Sequence, residues 1–126
     1  MRARITSLLA AIIAIAPLAL PGTASAAEPY GTWVRPSTGT QVNFYDCGGK
    51  LCGKIVGVKD PARKGEIGKM ILPGASKSGD NKWEGDLIDV SADKTYSGVV
   101  TLSGDGLNLK GCFLMVCKGE TWRKVK

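Results

Sequence analysis

Histidine is absent from the chain. That removes the commonest general base and the commonest nitrogen ligand for metals. Aromatic residues make up only 6%, and the basic residues form no stripe. Arg35, Lys50, Lys54, Lys59, Lys77, Lys94 and Lys110 are scattered, and the one cluster, Arg63-Lys64, is followed by Glu66. A nucleic-acid site combines a basic stripe with interleaved aromatics, so no nucleic-acid partner is expected. The mild excess of 17 Lys and Arg over 11 Asp and Glu reads as a solvated surface that helps docking to anionic envelope polymers. Beyond residue 26 no apolar run approaches the roughly 20 residues of a membrane span, and helical periodicity is nearly absent there.

The first residues are of a different kind. Arg2 and Arg4 precede an uncharged, almost wholly apolar stretch over residues 5–20. Pro21-Gly22 breaks it, and Ala24-Ser25-Ala26 has the small-x-small form that a signal peptidase reads. This three-part layout predicts a cleavable signal peptide over residues 1–26 and cleavage before Ala27. The apolar run is too short for a retained anchor. Residues 27–126 are then one small domain, periplasmic or secreted, with no transmembrane segment.

All four cysteines, Cys47, Cys52, Cys112 and Cys117, fall in that domain. An even count in a small exported chain reads as disulfides. A zinc site is disfavoured, because paired-cysteine knuckles use shorter spacings and no histidine assists. Four cysteines allow three pairings. Facing positions on antiparallel strands bring Cα atoms to about 4.5–5.5 Å, so the equal local spacings predict Cys47–Cys52 and Cys112–Cys117.

Short β-like runs alternate with turn clusters. Strands are expected over residues 31–35, 40–46, 50–59, 82–90, 94–103, 107–113 and 120–125. Gly48-Gly49 and Gly104-Asp105-Gly106 mark hairpins. Residues 62–78 show no clean period; Gly65, Gly68, Pro73 and Gly74 argue for a long loop with one helical turn near residues 67–72. About seven or eight strands with turns every ~8–12 residues predict an all-β sandwich or barrel. Glycines inside strands, such as Gly53, Gly57, Gly85, Gly98 and Gly111, fit the sharp bends of a small barrel.

Several motifs together carry a family resemblance: Gly31-Thr32-Trp33, Cys47-Gly48-Gly49-Lys50-Leu51-Cys52-Gly53-Lys54-Ile55, Gly79-Asp80-Asn81-Lys82-Trp83-Glu84-Gly85, Lys94-Thr95-Tyr96-Ser97-Gly98, Leu107-x-Leu109-x-Gly111-Cys112 and Thr121-Trp122-Arg123. Over essentially all of residues 27–126 the chain resembles the uncharacterised bacterial exported family catalogued as domain of unknown function 2147. Residues 90–93, Val-Ser-Ala-Asp, depart from the Pro and Gly that the family often has before Lys-Thr-Tyr. The resemblance brings no known activity. It implies a small antiparallel up-and-down β-barrel of the lipocalin, streptavidin or calycin type. Trp33 on the first strand and Arg123 on the last are similar to the closing contact of such barrels. Arg123 would lie over the Trp33 ring; the alternative makes Trp33 a core anchor and leaves Arg123 in solvent.

Little points to catalysis. Oxidised cysteines offer no thiolate. Glu84 and Asp86 share a strand face, but alternate charges on a strand usually mark its wet side. No catalytic residue, metal or cofactor is therefore expected. Two segments stand out. Residues 63–72 form a cap at one barrel end, either lid or plug, with Ile67, Met70, Ile71 and Leu72 as its buried side. Phe113-Leu114-Met115-Val116, between two cysteines, are read as core in preference to an exposed tip. The chain is thus read as an envelope binding module for a small apolar or amphipathic ligand held at the barrel mouth. Its candidate lining is Phe44, Ile55, Met70, Trp83 and Tyr96. The alternative is a structural or interaction protein with a filled barrel that binds an envelope component.

Overall fold

The computed structural model describes residues 28–125. The expected signal segment, residues 1–26, lies outside them. Eight antiparallel strands follow in chain order: β1 (Gly31–Val34), β2 (Gln41–Asp46), β3 (Leu51–Gly57), β4 (Met70–Gly79), β5 (Lys82–Asp89), β6 (Lys94–Ser103), β7 (Gly106–Phe113) and β8 (Val116–Lys124). Each pairs with the next, and β8 returns to β1, so the sheet closes as an up-and-down barrel. Closure removes the exposed edges that an open sheet of this size would carry.

Alternation sets the inside. Val42 and Phe44 on β2, Val100 and Leu102 on β6, Leu107 and Leu109 on β7 and Trp122 on β8 are buried, and their neighbours along each strand are more exposed. The barrel packs most densely toward the end bearing the β2–β3, β4–β5 and β6–β7 turns. There Trp33, Phe44, Leu51, Leu72, Trp83 and Leu107 belong to one buried cluster, and the Phe44 and Trp122 rings meet edge to face at 6.0 Å. Just before β1, Pro29 closes this floor: its carbonyl accepts a 2.8 Å hydrogen bond from buried Trp33 Nε1. A buried indole N–H without such a partner would cost stability.

Glycine bends the wall. Gly85, Gly98 and Gly111 stand in register across β5, β6 and β7. A Cβ on Gly98 would lie 2.7 Å from Leu87 Cβ and 2.9 Å from the Gly85 carbonyl oxygen. At this level the strands cross too closely for any side chain but hydrogen, and Leu87 of β5 and Tyr96 of β6 fold over the space.

Two elements differ from the expected order. Residues 70–79 are a strand, β4, where a loop was expected. Its Pro73 and Gly74 sit at bulges, with the register shifting between Leu51 and Gly53 of the partner, and bulges tolerate residues that a regular ladder excludes. The helical turn lies earlier, as a 3₁₀ helix over Pro61–Glu66. Asp60 caps it by accepting from the Ala62 N–H at 2.9 Å, and Pro61 occupies the first turn. Asp60-Pro61 is thus a helix start.

The cysteines pair as Cys47–Cys52 and Cys112–Cys117, with Cα atoms 5.8 Å and 4.0 Å apart. Cys112 and Cys117 face each other in register. Cys52 instead faces Tyr45, so the first bridge runs obliquely from the turn beyond β2. There Gly48 and Gly49 take positive φ.

Candidate functional site

The opposite end of the barrel is open. A cavity of about 910 Å³ enters there, so the interior is packed over only part of its length. Val42, Ile55, Ile71, Leu87, Leu109 and Trp122 form its apolar wall. Arg35, Arg63, Glu66, Lys94, Lys118 and Glu120 contribute to its lining. They sit on or beside the β1–β2 connection, the 3₁₀ helix, the β5–β6 turn and the β7–β8 hairpin. An apolar chamber with a few charged groups suits a molecule with an apolar body and a polar end.

The charged groups are ordered. Glu120 Oε1 lies 2.8 Å from Arg35 Nε, and Ser37 donates to the same carboxylate through its N–H at 2.8 Å and its hydroxyl at 3.1 Å. Burial acts to raise the Glu120 carboxyl, but the Arg35 and Ser37 hydrogen bonds and the Arg35 charge outweigh it and hold it below its ordinary value. Glu66 accepts from the Ser91 hydroxyl at 3.0 Å and lies 3.9 Å from Arg63 Nε, which ties the 3₁₀ helix to the β5–β6 turn. Lys94 Nζ stands 4.6 Å from the Phe113 ring centroid. Among the described residues, neither Lys94 nor Lys118 has a carboxylate within 4.0 Å.

Of the candidate lining, Ile55 and Tyr96 border the cavity. Phe44 and Trp83 do not; they are buried in the packed cluster. Met70 also lies away from it, half-buried, and accepts a 3.4 Å hydrogen bond at Sδ from the Tyr45 hydroxyl. Size and loop proximity chose these three; height along the barrel excludes Phe44 and Trp83, and strand phase excludes Met70. Phe44 and Trp83 point inward but near the floor, whereas Tyr45, one step from Phe44, takes the other face and meets Met70. The segment over residues 63–72 is no plug of the expected kind. Ile67 is 48% exposed, and Ile71 and Leu72 are buried as part of β4. The missed members Arg35, Lys118 and Glu120 carry no local motif; register alone brings them together.

The cation over Trp33 is Lys124, with Nζ 5.2 Å from the ring centroid. Arg123 is exposed and in register with Val34, while Lys124 is in register with Trp33, a displacement of one residue that changes the face. Glu84 and Asp86 are exposed on β5, and Glu84 meets Lys82 at 3.6 Å. Phe113, Leu114, Met115 and Val116 do not enter the core. With Cys112 opposite Cys117 and Phe113 opposite Val116, only two residues remain to turn the chain, and they protrude.

An eight-stranded up-and-down barrel, packed at one end and open to an apolar chamber at the other, defines a lipocalin-like fold. The chain belongs to the family described as uncharacterized protein conserved in bacteria (DUF2147), whose profile matches residues 31–124. Among solved structures it is similar to HP1028 from the human pathogen Helicobacter pylori, described as belonging to the lipocalin family. The TM-score is 0.64 at 16% identity over 80% of this chain and 85% of that one. No curated protein matches the sequence. Among the described residues no helix is long and apolar enough to cross a membrane.

Proposed function

We propose that this chain is an exported binding protein of the bacterial envelope, without catalytic activity, that carries a small amphipathic ligand in the barrel. The observation that carries the reading is the chamber of about 910 Å³, open at one end. Its size falls within the range of roughly 300–1,000 Å³ usual for small-molecule sites, and a filled barrel would leave no such space. The apolar body of the ligand lies against Ile55, Leu87, Leu109 and Trp122. Its head stays at the rim, where Lys94 and Lys118 have no carboxylate partner among the described residues and favour a negative group. Two disulfides suit an oxidising compartment, which supports a periplasmic or secreted location together with the layout of residues 1–26. The test is native mass spectrometry of the protein purified from its own envelope. An added mass that extracts into organic solvent is expected. Protein that is always ligand-free, and that binds neither long-chain carboxylates nor lysolipids when offered them, would overturn the reading.

A further inference from the structure

Lining the chamber does not account for how far the β7–β8 tip is exposed. Phe113, Leu114, Met115 and Val116 are 42%, 87%, 94% and 62% exposed. Exposed large apolar residues elsewhere among the described residues, Tyr30, Val56 and Ile67, stand singly, which is ordinary on a protein surface. Four in sequence at one tip make a contiguous apolar patch.

Backbone geometry sharpens the point. Leu114 occupies the first position of its two-residue turn with φ 59°, a left-handed conformation unfavourable for a residue with a branched side chain. The neighbouring hairpin, at the packed end of the barrel, has Gly104 at the corresponding place with φ 60°, the residue such turns favour. At the open end a leucine is therefore kept against both solvent and backbone preference. The Cys112–Cys117 bridge lies directly beneath, Cα to Cα 4.0 Å, and holds the tip outward.

Charge indicates what the tip meets. Lys94 lies over the Phe113 ring, Lys118 follows Cys117, and Lys110 precedes Cys112 by two residues on β7. The carboxylates at this end are largely engaged: Glu120 by Arg35, Glu66 by Ser91 and Arg63, and Asp89 by the Ala92 N–H at 3.1 Å. Asp93, exposed in the β5–β6 turn, offsets one lysine. A second copy of this chain would bring like charges together. It would also gain from a few side chains only, far below the roughly 1,000 Å² of a stable protein interface. An anionic lipid surface needs no such area; an apolar wedge among headgroups with lysines against phosphates suffices.

We infer that the β7–β8 tip docks on a bilayer containing anionic lipid. Leu114 and Met115 enter the headgroup–acyl boundary, and Lys94, Lys110 and Lys118 contact the phosphates. Phe113, Leu114 and Val116 also line the chamber, so docking turns its mouth to the membrane. The docking does not depend on the chamber's having a ligand.

The test is sedimentation with vesicles of phosphatidylcholine alone and of phosphatidylcholine with phosphatidylglycerol. It compares the protein as isolated from its cells with Met115→Ser and with Leu114→Gly/Met115→Ser. The parent is expected to bind the anionic vesicles at least tenfold more tightly than the neutral ones and to release with salt. Both variants are expected to lose at least tenfold, and the double variant to melt no lower than the parent. Any contribution of residues 1–26 is common to all three proteins. Variants that bind as tightly as the parent, or a parent that binds neither vesicle, would overturn the proposal. So would a parent that self-associates through the tip, shown by a monomeric Met115→Ser, without binding vesicles. Displacement of a fluorescent fatty acid from the parent and from Met115→Ser, whose side chain does not line the chamber, reports the chamber separately, so the two readings fail independently.

Discussion

At the scale of single residues, the closure of the barrel turns on which basic side chain reaches Trp33. The aliphatic stem of Lys124 passes over Gly31, where a Cβ would lie 2.7 Å from Lys124 Cε, and its ammonium ends over the indole. Arg123 extends into solvent on the same strand. Lys124→Ala should therefore lower stability by about 0.5–1 kcal/mol through lost stem packing and ring contact. Arg123→Ala should change it by less than about 0.5 kcal/mol, as an ordinary surface substitution. Urea titrations of the two variants check this, and equal losses would show that the assignment of the face is wrong. That the last strand returns beside Trp33 followed from the resemblance, but Arg123 was expected over the ring and Lys124 stands there. The face was not legible, because a one-residue change of register moves every side chain of a strand to the other side and no pattern near residue 123 specifies that phase.

At the scale of elements, the seam between β1 and β8 is the shortest in the barrel. Two residue pairs define it, against eight between β7 and β8. A backbone bond from the Val125 N–H to the Thr32 carbonyl, 2.8 Å, extends it at one end, and the Glu120 carboxylate secures the other by binding Arg35 and Ser37. Because the folded-state pKa of Glu120 is lowered, this contribution is complete above the ordinary glutamate range and is lost as pH falls through the lowered folded value. Glu120→Gln should then cost about 0.5–1 kcal/mol at neutral pH, in keeping with a partly exposed ion pair. The deficit relative to the parent should vanish in acid. Thermal melts from neutral to acidic pH test the sign; a deficit that grows in acid would contradict it. Neither partner was visible as such in the sequence, since 85 positions separate them. β4 was missed for a different reason. Pro73 and Gly74 are turn formers by local preference, and only pairing with β3 and β5 makes a strand of the segment.

At the scale of the whole molecule, the legible part was the architecture. Alternating apolar positions and regular turn signals pointed to a small all-β sandwich or barrel, the family resemblance implied the closed barrel, and the cysteine spacing located both bridges. The chamber was less legible because inward-facing residues obey one alternation whether they pack the floor or border the opening. What separates Phe44 from Val42, or Trp83 from Leu87, is height along the barrel, set by strand stagger and by which end the connections leave open. That distinction yields paired outcomes. Leu87, half-buried at the cavity wall above the glycine band, faces open volume, so Leu87→Trp should occupy the chamber with a change of stability within about 1.5 kcal/mol. It should weaken binding of an anionic amphiphilic probe, 1-anilinonaphthalene-8-sulfonate, at least tenfold, since a displaced apolar contact of about 1.4 kcal/mol already amounts to that factor. Met70→Ala, beside Tyr45 and away from the cavity, should leave the probe affinity unchanged while costing some stability through lost packing. Fluorescence titrations with parallel melts distinguish the two. If Met70→Ala abolishes binding and Leu87→Trp does not, the probe enters by the outer face near β4, and the chamber is not the binding site.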